Sequence, residues 1–173
     1  IQTGAPSEYP RALDLKVNAE SGIYDVVAVY NWYDNPYTMF LLFGRDLGLD
    51  PEKEYLVYDS WKEELVGVWK DMVRVEVPPH GVRVFTIKPL DNSKPQLLGT
   101  SRHITGAFSI EDLDWDSSEL TLTGRSKTVP DAPYSLFIHV PQGMALSKAD
   151  ASVEVLSYEY TDNLLEVTFS GQE

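Results

Sequence analysis

Short runs of β-branched and aromatic residues recur along this chain, and Pro, Gly, Asn and Asp residues separate them. The first run is GIYDVVAVYNWY at 22–33, and the turn residues DNP connect it to YTMFLLF at 37–43 as a predicted hairpin. Similar runs continue to the end of the chain, and the best helix candidate is only the short segment LSKAD at 146–150. Short strands with regular turn signals are typical of antiparallel sandwiches. The sequence therefore predicts an all-β fold.

Alternation within these runs predicts which side chains are buried. In DMVRVEV, Val73, Val75 and Val77 are expected to face inward, while Met72, Arg74 and Glu76 face outward. In GIYDVVAVYNWY both faces are largely apolar, which predicts a central strand covered on two sides. The predicted core consists of Val27, Val29, Leu56, Val73, Val75, Val84 and Ile87 in the first half, and of Leu97, Phe108, Leu120, Leu122, Leu136, Ile138, Val155 and Val167 in the second.

The segment KPLDNSKP at 88–95 is the best candidate for a linker. It contains two prolines and several charged residues, and it has no aliphatic run that would need burial. Proline cannot donate a backbone hydrogen bond, so it is disfavoured in a central strand. We therefore expect two antiparallel β-sandwich-like modules at residues 1–89 and 90–173.

Composition excludes several classes of partner. The net charge of −13 repels nucleic acids and anionic membranes, and no apolar run reaches the length of a membrane-spanning helix. There is no cysteine among the 173 residues, so no disulfide or cysteine-based metal site is expected. The start of the chain has neither the basic nor the apolar part of a signal peptide, and it lacks Met, which suggests a processed chain or an excised piece.

Three consecutive polar residues, Ser101, Arg102 and His103, have the side chains of a nucleophile, an anion clamp and a general base. However, the strand–turn–helix pattern of a nucleophile elbow is missing around Ser101. The predicted strand at 96–104 therefore indicates a structural role, with Arg102 paired to an acidic residue. The acidic run EDLDWD at 111–116 lacks the ligand spacing of a calcium loop. We expect no catalytic residue, no metal site and no cofactor.

Aromatic residues are the better candidates for a binding site. Trp32, Tyr33 and Tyr37 cluster around one predicted turn, and Tyr58 and Trp61 lie near another. Aromatic rings of this kind can stack on sugar rings, and polar groups beside them can orient a sugar through its hydroxyls. Asp34, Asn35 and Asp59 are the expected polar groups. The alternative is that these rings are partly buried or seal an interface with another domain.

Several phrases, read in order, resemble a known family. YDVVAVYNWYDNP is followed by EYLVYDSWKEELVG, by VEVPPHGVRVFTIKPL and then by PQLLGTSRHITGAF. Over roughly residues 20–141 this order is similar to the C-terminal region of bacterial glycoside hydrolases of the alpha-galactosidase (melibiase) type. In that family a (β/α)8 barrel carries the catalytic carboxylates, and a β-sandwich follows it. The strand–helix alternation of such a barrel is missing from this sequence.

The resemblance implies a non-catalytic accessory region that supports a barrel located earlier in the same polypeptide and contacts saccharide. Two alternatives stay open: a freestanding carbohydrate-binding module, and a small glycosidase in its own right. The parent protein is expected to be a glycoside hydrolase. Its location is left open, with secretion and the periplasm as options.

Overall fold

A computed structural model describes residues 9–106 and 109–171 of the chain. These residues form thirteen strands and one short helix: β1 (Ala12–Ala19), β2 (Gly22–Tyr30), β3 (Tyr37–Leu42), α1 (Phe43–Leu47), β4 (Glu54–Asp59), β5 (Glu64–Lys70), β6 (Met72–Val77), β7 (Val82–Pro89), β8 (Gln96–Thr100), β9 (Ile110–Asp116), β10 (Thr121–Ser126), β11 (Tyr134–His139), β12 (Val155–Thr161) and β13 (Leu164–Phe169). The prediction of an all-β fold is confirmed.

The chain divides into two compact units. Of the described residues, one unit contains 9–17 and 23–90, and the other contains 18–22, 91–106 and 109–171. Within the described residues, no strand lies between Pro89, at the end of β7, and Gln96, at the start of β8. A module boundary at 88–95 stays our proposal.

The first unit consists of a five-stranded sheet in the order β1-β2-β7-β4-β5 and a two-stranded sheet formed by β3 and β6. Side chains from both sheets meet in one apolar core. Val73, Val75 and Val77 of β6 are buried in it, while the residues between them are exposed. This alternation was predicted, and so was the burial of every core residue named for the first half. Strand β2 is buried on both faces, as its composition predicted.

The predicted hairpin between residues 22–33 and 37–43 is wrong. Strand β2 pairs with β7, with Val27 opposite Phe85, whereas β3 pairs with β6, with Met39 opposite Val75. The residues between β2 and β3 therefore carry the chain from one sheet to the other. A strand that is apolar on both faces is favoured in the middle of a large sheet rather than in an isolated hairpin.

Two elements of the first unit were not predicted. Strand β1 alternates charged and aliphatic residues and was not recognised as a strand. Helix α1 occupies a place where a strand end and a loop were expected, and it ends at Gly48, which adopts the left-handed conformation with φ 66°. Glycine commonly ends helices in this way. Phe43 and Leu47 of α1 are fully buried, so core packing explains this helix better than local propensity.

The second unit contains a four-stranded sheet in the order β12-β13-β11-β8 and the two-stranded sheet of β9 and β10. Among the predicted core residues, Leu97, Ile138 and Val167 are buried, and a further set is partly buried against them: Leu122, Leu136 and Val155. Phe108 lies outside the described residues.

Three predictions for the second unit are wrong. Leu120 is 68% exposed, because it lies in the turn before β10 with a positive φ of 50° and so leaves the strand alternation. Segment 146–150 is not helical. Strand β8 ends at Thr100, so Ser101–His103 lie after the strand rather than in it. Its ladder with β11 ends at the pair Leu136 and Thr100.

His139 is a buried polar residue in the middle of the second sheet. It lies in β11 between Leu164 of β13 and Gln96 of β8, and it is 2% exposed. Its Nδ1 atom has no hydrogen-bond partner among the described residues. Burial lowers the pKa of the imidazole below its usual value of 6.5, because the charged form is disfavoured away from water.

We predict that the second unit loses stability as the pH falls below about 6.5, where the unfolded imidazole begins to bind a proton that the folded one binds only at lower pH. His139→Leu should flatten this dependence, whereas His103→Leu, at an exposed position, should leave it unchanged. Denaturant unfolding between about pH 7.5 and 5, followed by NMR signals of residues 134–139, measures the effect. An equal pH slope in both variants would contradict the assignment to His139.

Candidate functional site: the Trp32 group and the Trp61 turn

A buried amide determines the shape of the loop between β2 and β3. Asn31 is 2% exposed, and its Nδ2 donates to the carbonyl oxygens of Asn35 at 2.8 Å, Val77 at 3.1 Å and Pro78 at 3.0 Å. Its Oδ1 accepts a hydrogen bond from the Tyr33 amide at 2.9 Å. A buried polar group bonded on all sides holds its neighbours in one arrangement. The loop is therefore tied to the chain that follows β6.

This loop presents aromatic residues at one end of the first unit. Trp32 stacks on Tyr30, with ring centres 5.6 Å apart and planes 9° from parallel. The ring of Tyr9 contacts Trp32 at 5.4 Å, tilted by 51°. The indole Nε1 of Trp32 donates to the carbonyl oxygen of Pro10 at 2.8 Å. Trp32 thus has aromatic neighbours and a bonded donor even though 45% of its surface is exposed.

An arginine joins the two tyrosines of the same surface. Arg11 donates from Nη2 to the phenol oxygen of Tyr33 at 3.0 Å and from Nη1 to that of Tyr37 at 3.3 Å. The tyrosine rings lie 5.9 Å apart. The Arg11 guanidinium is 6.0 Å from the ring centre of Tyr33 and 5.6 Å from that of Tyr37, within cation–π range.

We call this surface the Trp32 group. It consists of Tyr9, Arg11, Tyr30, Trp32, Tyr33 and Tyr37. The structure brings the three predicted residues Trp32, Tyr33 and Tyr37 together, and it adds three that were not predicted. Tyr30 could have been found from its position two residues before Trp32, on the same face of the strand. Tyr9 and Arg11 precede a strand that was not recognised.

The polar residues beside this group have partners of their own. Asp34 is exposed, and its Oδ1 lies 2.9 Å from Nε2 of His80. The carbonyl oxygen of Asn35 accepts the Asn31 bond described above. Both residues are exposed to solvent, and their contact with a sugar stays a prediction.

The two residues of the second predicted aromatic pair, Tyr58 and Trp61, differ in their exposure to solvent. Trp61 is 56% exposed at the turn between β4 and β5, but Tyr58 is 1% exposed. The expectation that Tyr58 reaches solvent is therefore wrong. Strand β4 lies between β7 and β5, and both of its faces are covered. Tyr58 belongs to the packed interior.

Asp59 is also buried, and its hydrogen bonds determine the shape of the Trp61 turn. Oδ1 accepts the backbone amides of Trp61 and Lys62, each at 3.0 Å. Oδ2 accepts Nε of Arg83 at 2.6 Å, and Arg83 also pairs with Glu64 at 3.2 Å. The predicted role of Asp59 in binding sugar hydroxyls is therefore wrong, because its oxygens are already bonded inside the protein. Its effect is to hold Trp61 in a fixed turn.

Ser101, Arg102 and His103 do not form a nucleophile–base pair. Oγ of Ser101 accepts the amide of Ser135 at 2.8 Å, and Nδ1 of His103 lies 2.8 Å from Oγ1 of Thr105. Arg102 donates to the carbonyl oxygen of Lys127, not to an acidic side chain as the sequence suggested. These contacts connect the turn after β8 to neighbouring chain segments.

Two buried carboxylates meet at one lysine in the first unit. Nζ of Lys16 lies 2.5 Å from Asp25, 3.1 Å from Asp14 and 2.5 Å from the carbonyl oxygen of Leu47 at the end of α1. Burial raises the pKa of the Asp25 carboxyl, although the bond to Lys16 opposes this. Burial lowers the pKa of Lys16, but its bonds to Asp25 and Asp14 raise it more. Lys16 thus joins β1, β2 and α1.

The described part of the chain offers no group of three or more His, Cys, Asp or Glu side chains that could hold a metal ion. Within the same residues, none of the helices is long and apolar enough to cross a membrane.

Part of the chain matches a known family of protein domains. Residues 18–87 match the alpha galactosidase C-terminal beta sandwich domain. This confirms the predicted resemblance for that part of the chain, which contains β2 to β6 and most of β7. All five predicted aromatic residues lie inside the matched range, whereas Tyr9, Arg11 and Ser101 lie outside it.

Two solved structures are similar to part of the chain. One is alpha-galactosidase I from Mortierella vinacea, with 22% identity, a TM-score of 0.39, and coverage of 44% of this chain and 20% of that one. The other is a D197A variant of a GH27 β-L-arabinopyranosidase from Geobacillus stearothermophilus in complex with arabinose, with 21% identity, a TM-score of 0.39, and coverage of 47% and 18%. The similarity spans about a fifth of each enzyme. No curated protein matches the chain.

Proposed function

We propose that this chain is a non-catalytic accessory region of a glycoside hydrolase and that it stabilises a catalytic barrel in the same polypeptide. The observation that supports this best is the match of residues 18–87 to a domain described as the C-terminal sandwich of alpha galactosidase. A sandwich in that position follows the part of an enzyme that carries the chemistry. The residues of such a sandwich are therefore expected to stabilise the fold rather than to take part in the chemistry.

The buried charges of the first unit support a structural role. The carboxylates of Asp14 and Asp25 are brought together in the interior, and both contact Lys16. Glycoside hydrolysis needs two carboxyl groups on either side of a sugar, with room for the scissile bond between them. A lysine ammonium occupies that position here, so this pair suits the joining of strands and a helix end better than catalysis.

We predict that the isolated chain does not hydrolyse an aryl α-galactoside, whereas the parent polypeptide with its barrel does. Deleting residues 9–171 from the parent should lower the melting temperature of the barrel, because the barrel loses a partner that stabilises its folded state. Calorimetry and turnover assays on the isolated chain, the parent polypeptide and the deletion variant make the measurement.

The Ser101→Ala variant of the isolated chain serves as a control. Hydrolysis by the isolated chain that Ser101→Ala removes would support the small-glycosidase alternative and contradict the proposal.

We further propose that this region contacts saccharide through Trp61. The ring is 56% exposed, and its turn is held in shape by the buried Asp59. Preorganised aromatic rings bind with less loss of conformational freedom. Lys62 and Glu64, which follow Trp61 in the chain and form an ion pair, are polar groups able to bond sugar hydroxyls. Contact through the exposed parts of Trp32, Tyr33 and Tyr37 stays a second prediction of the same kind.

We predict a saturable change in the backbone NMR signals of residues 59, 60 and 62–64, which flank Trp61, when galactose or a galacto-oligosaccharide is added. Trp61→Ala should abolish it, whereas Trp32→Ala should retain it, because the Trp32 donor is already bonded to Pro10. Loss of binding in Trp32→Ala alone would move the site to the Trp32 group. A flat titration up to tens of millimolar would contradict saccharide contact and leave the interface interpretation in place.

A further inference from the structure

The segment Tyr9–Arg11, which we call the strap, lies against the other members of the Trp32 group, Tyr30, Trp32, Tyr33 and Tyr37, before β1 begins at Ala12. Two consecutive carbonyl oxygens of the strap accept hydrogen bonds from the end of β2 and the loop after it. The carbonyl of Arg11 accepts the Tyr30 amide at 2.8 Å, and the carbonyl of Pro10 accepts the Trp32 indole at 2.8 Å. The strap is therefore held both by a backbone donor, the Tyr30 amide, and by a side-chain donor, the Trp32 indole.

The side chains of the strap add contacts on either side of these bonds. The ring of Tyr9 contacts Trp32, and the guanidinium of Arg11 contacts Tyr33 and Tyr37 through the bonds and ring contacts given above. Pro10 has a fixed φ and no amide hydrogen, so it presents its carbonyl with little entropy to lose and no donor to satisfy. Ordering three residues outside a strand requires compensating contacts. Every residue of the strap has such a contact.

We propose that the four aromatic residues of the Trp32 group outside the strap, Tyr30, Trp32, Tyr33 and Tyr37, anchor the strap, and that they determine the direction in which the polypeptide enters β1. The partner that this surface fits is a short segment of this same chain with an aromatic residue, a proline and an arginine in sequence. The inference goes beyond the proposed function and does not depend on a barrel or on a sugar. It gives the exposed aromatic residues a role within the polypeptide.

The Tyr30 amide reports on the strap directly, because its acceptor is the carbonyl of Arg11. Trp32→Phe keeps an aromatic ring but removes the indole donor and part of the ring surface that contacts Tyr9 and Tyr30. One intramolecular hydrogen bond corresponds to about a fivefold change in a local opening equilibrium. We expect hydrogen exchange at the Tyr30 amide to become about fivefold faster in Trp32→Phe, and faster still in Trp32→Ala and Tyr9→Ala. The Val27 amide, in the middle of β2, should exchange at its original rate.

Trypsin provides a second measurement, since it cleaves after Arg11. Tyr33→Phe and Tyr37→Phe remove the phenol oxygens that accept the Arg11 bonds, so the double variant should be cleaved there faster than the original protein. Trp61→Phe, at a different exposed turn, is the matched control and should change neither measurement. Unchanged Tyr30 exchange in both Trp32 variants would overturn the proposal. Equal acceleration at Tyr30 and Val27 would also overturn it, because the ring would then stabilise the whole unit rather than the strap.

Discussion

The apolar core between the five-stranded sheet and the β3–β6 pair is the constraint on which the rest of the first unit depends. Its side chains come from both sheets and from α1, and most of them are fully buried. Removing such surface from water is the main favourable contribution to folding. The core explains why β3 pairs with β6 and why Phe43 and Leu47 form a helical turn. It also explains why β2 lies inside a sheet.

Polar side chains that form hydrogen bonds inside the protein then hold the connections around this core. Asn31 ties the loop after β2 to the chain after β6, Asp59 holds the turn after β4, and Lys16 joins two strands to the end of α1. Each bonds within the protein, so each contributes to shape rather than to chemistry. This is the physical basis for proposing a supporting role. The exposed aromatic residues sit on connections that these polar groups hold in place.

The parts of the fold that the sequence predicted are those with strong local alternation. Val73, Val75 and Val77 alternate cleanly with polar residues, and the runs of valine in β2 indicated burial on both faces. Pairing partners were not predicted, because a hairpin and a crossover have the same local pattern at residues 31–36. The exposed tryptophans were predicted from their positions beside turns. Burial of Tyr58 and Asp59 depends on neighbouring strands, and no local signal distinguishes it from exposure.

Substituting Val75 tests the central claim, that one apolar core holds the first unit together, most directly. Val75 is 2% exposed and faces Met39 of β3. An unpaired carboxylate at this position costs several kcal/mol, a large part of the about 5–15 kcal/mol that stabilises a typical domain. We expect Val75→Asp to remove the native NMR pattern of residues 23–90, whereas Arg74→Asp, on the exposed face of the same strand, keeps it. A Val75→Asp protein with the original melting temperature would contradict the account.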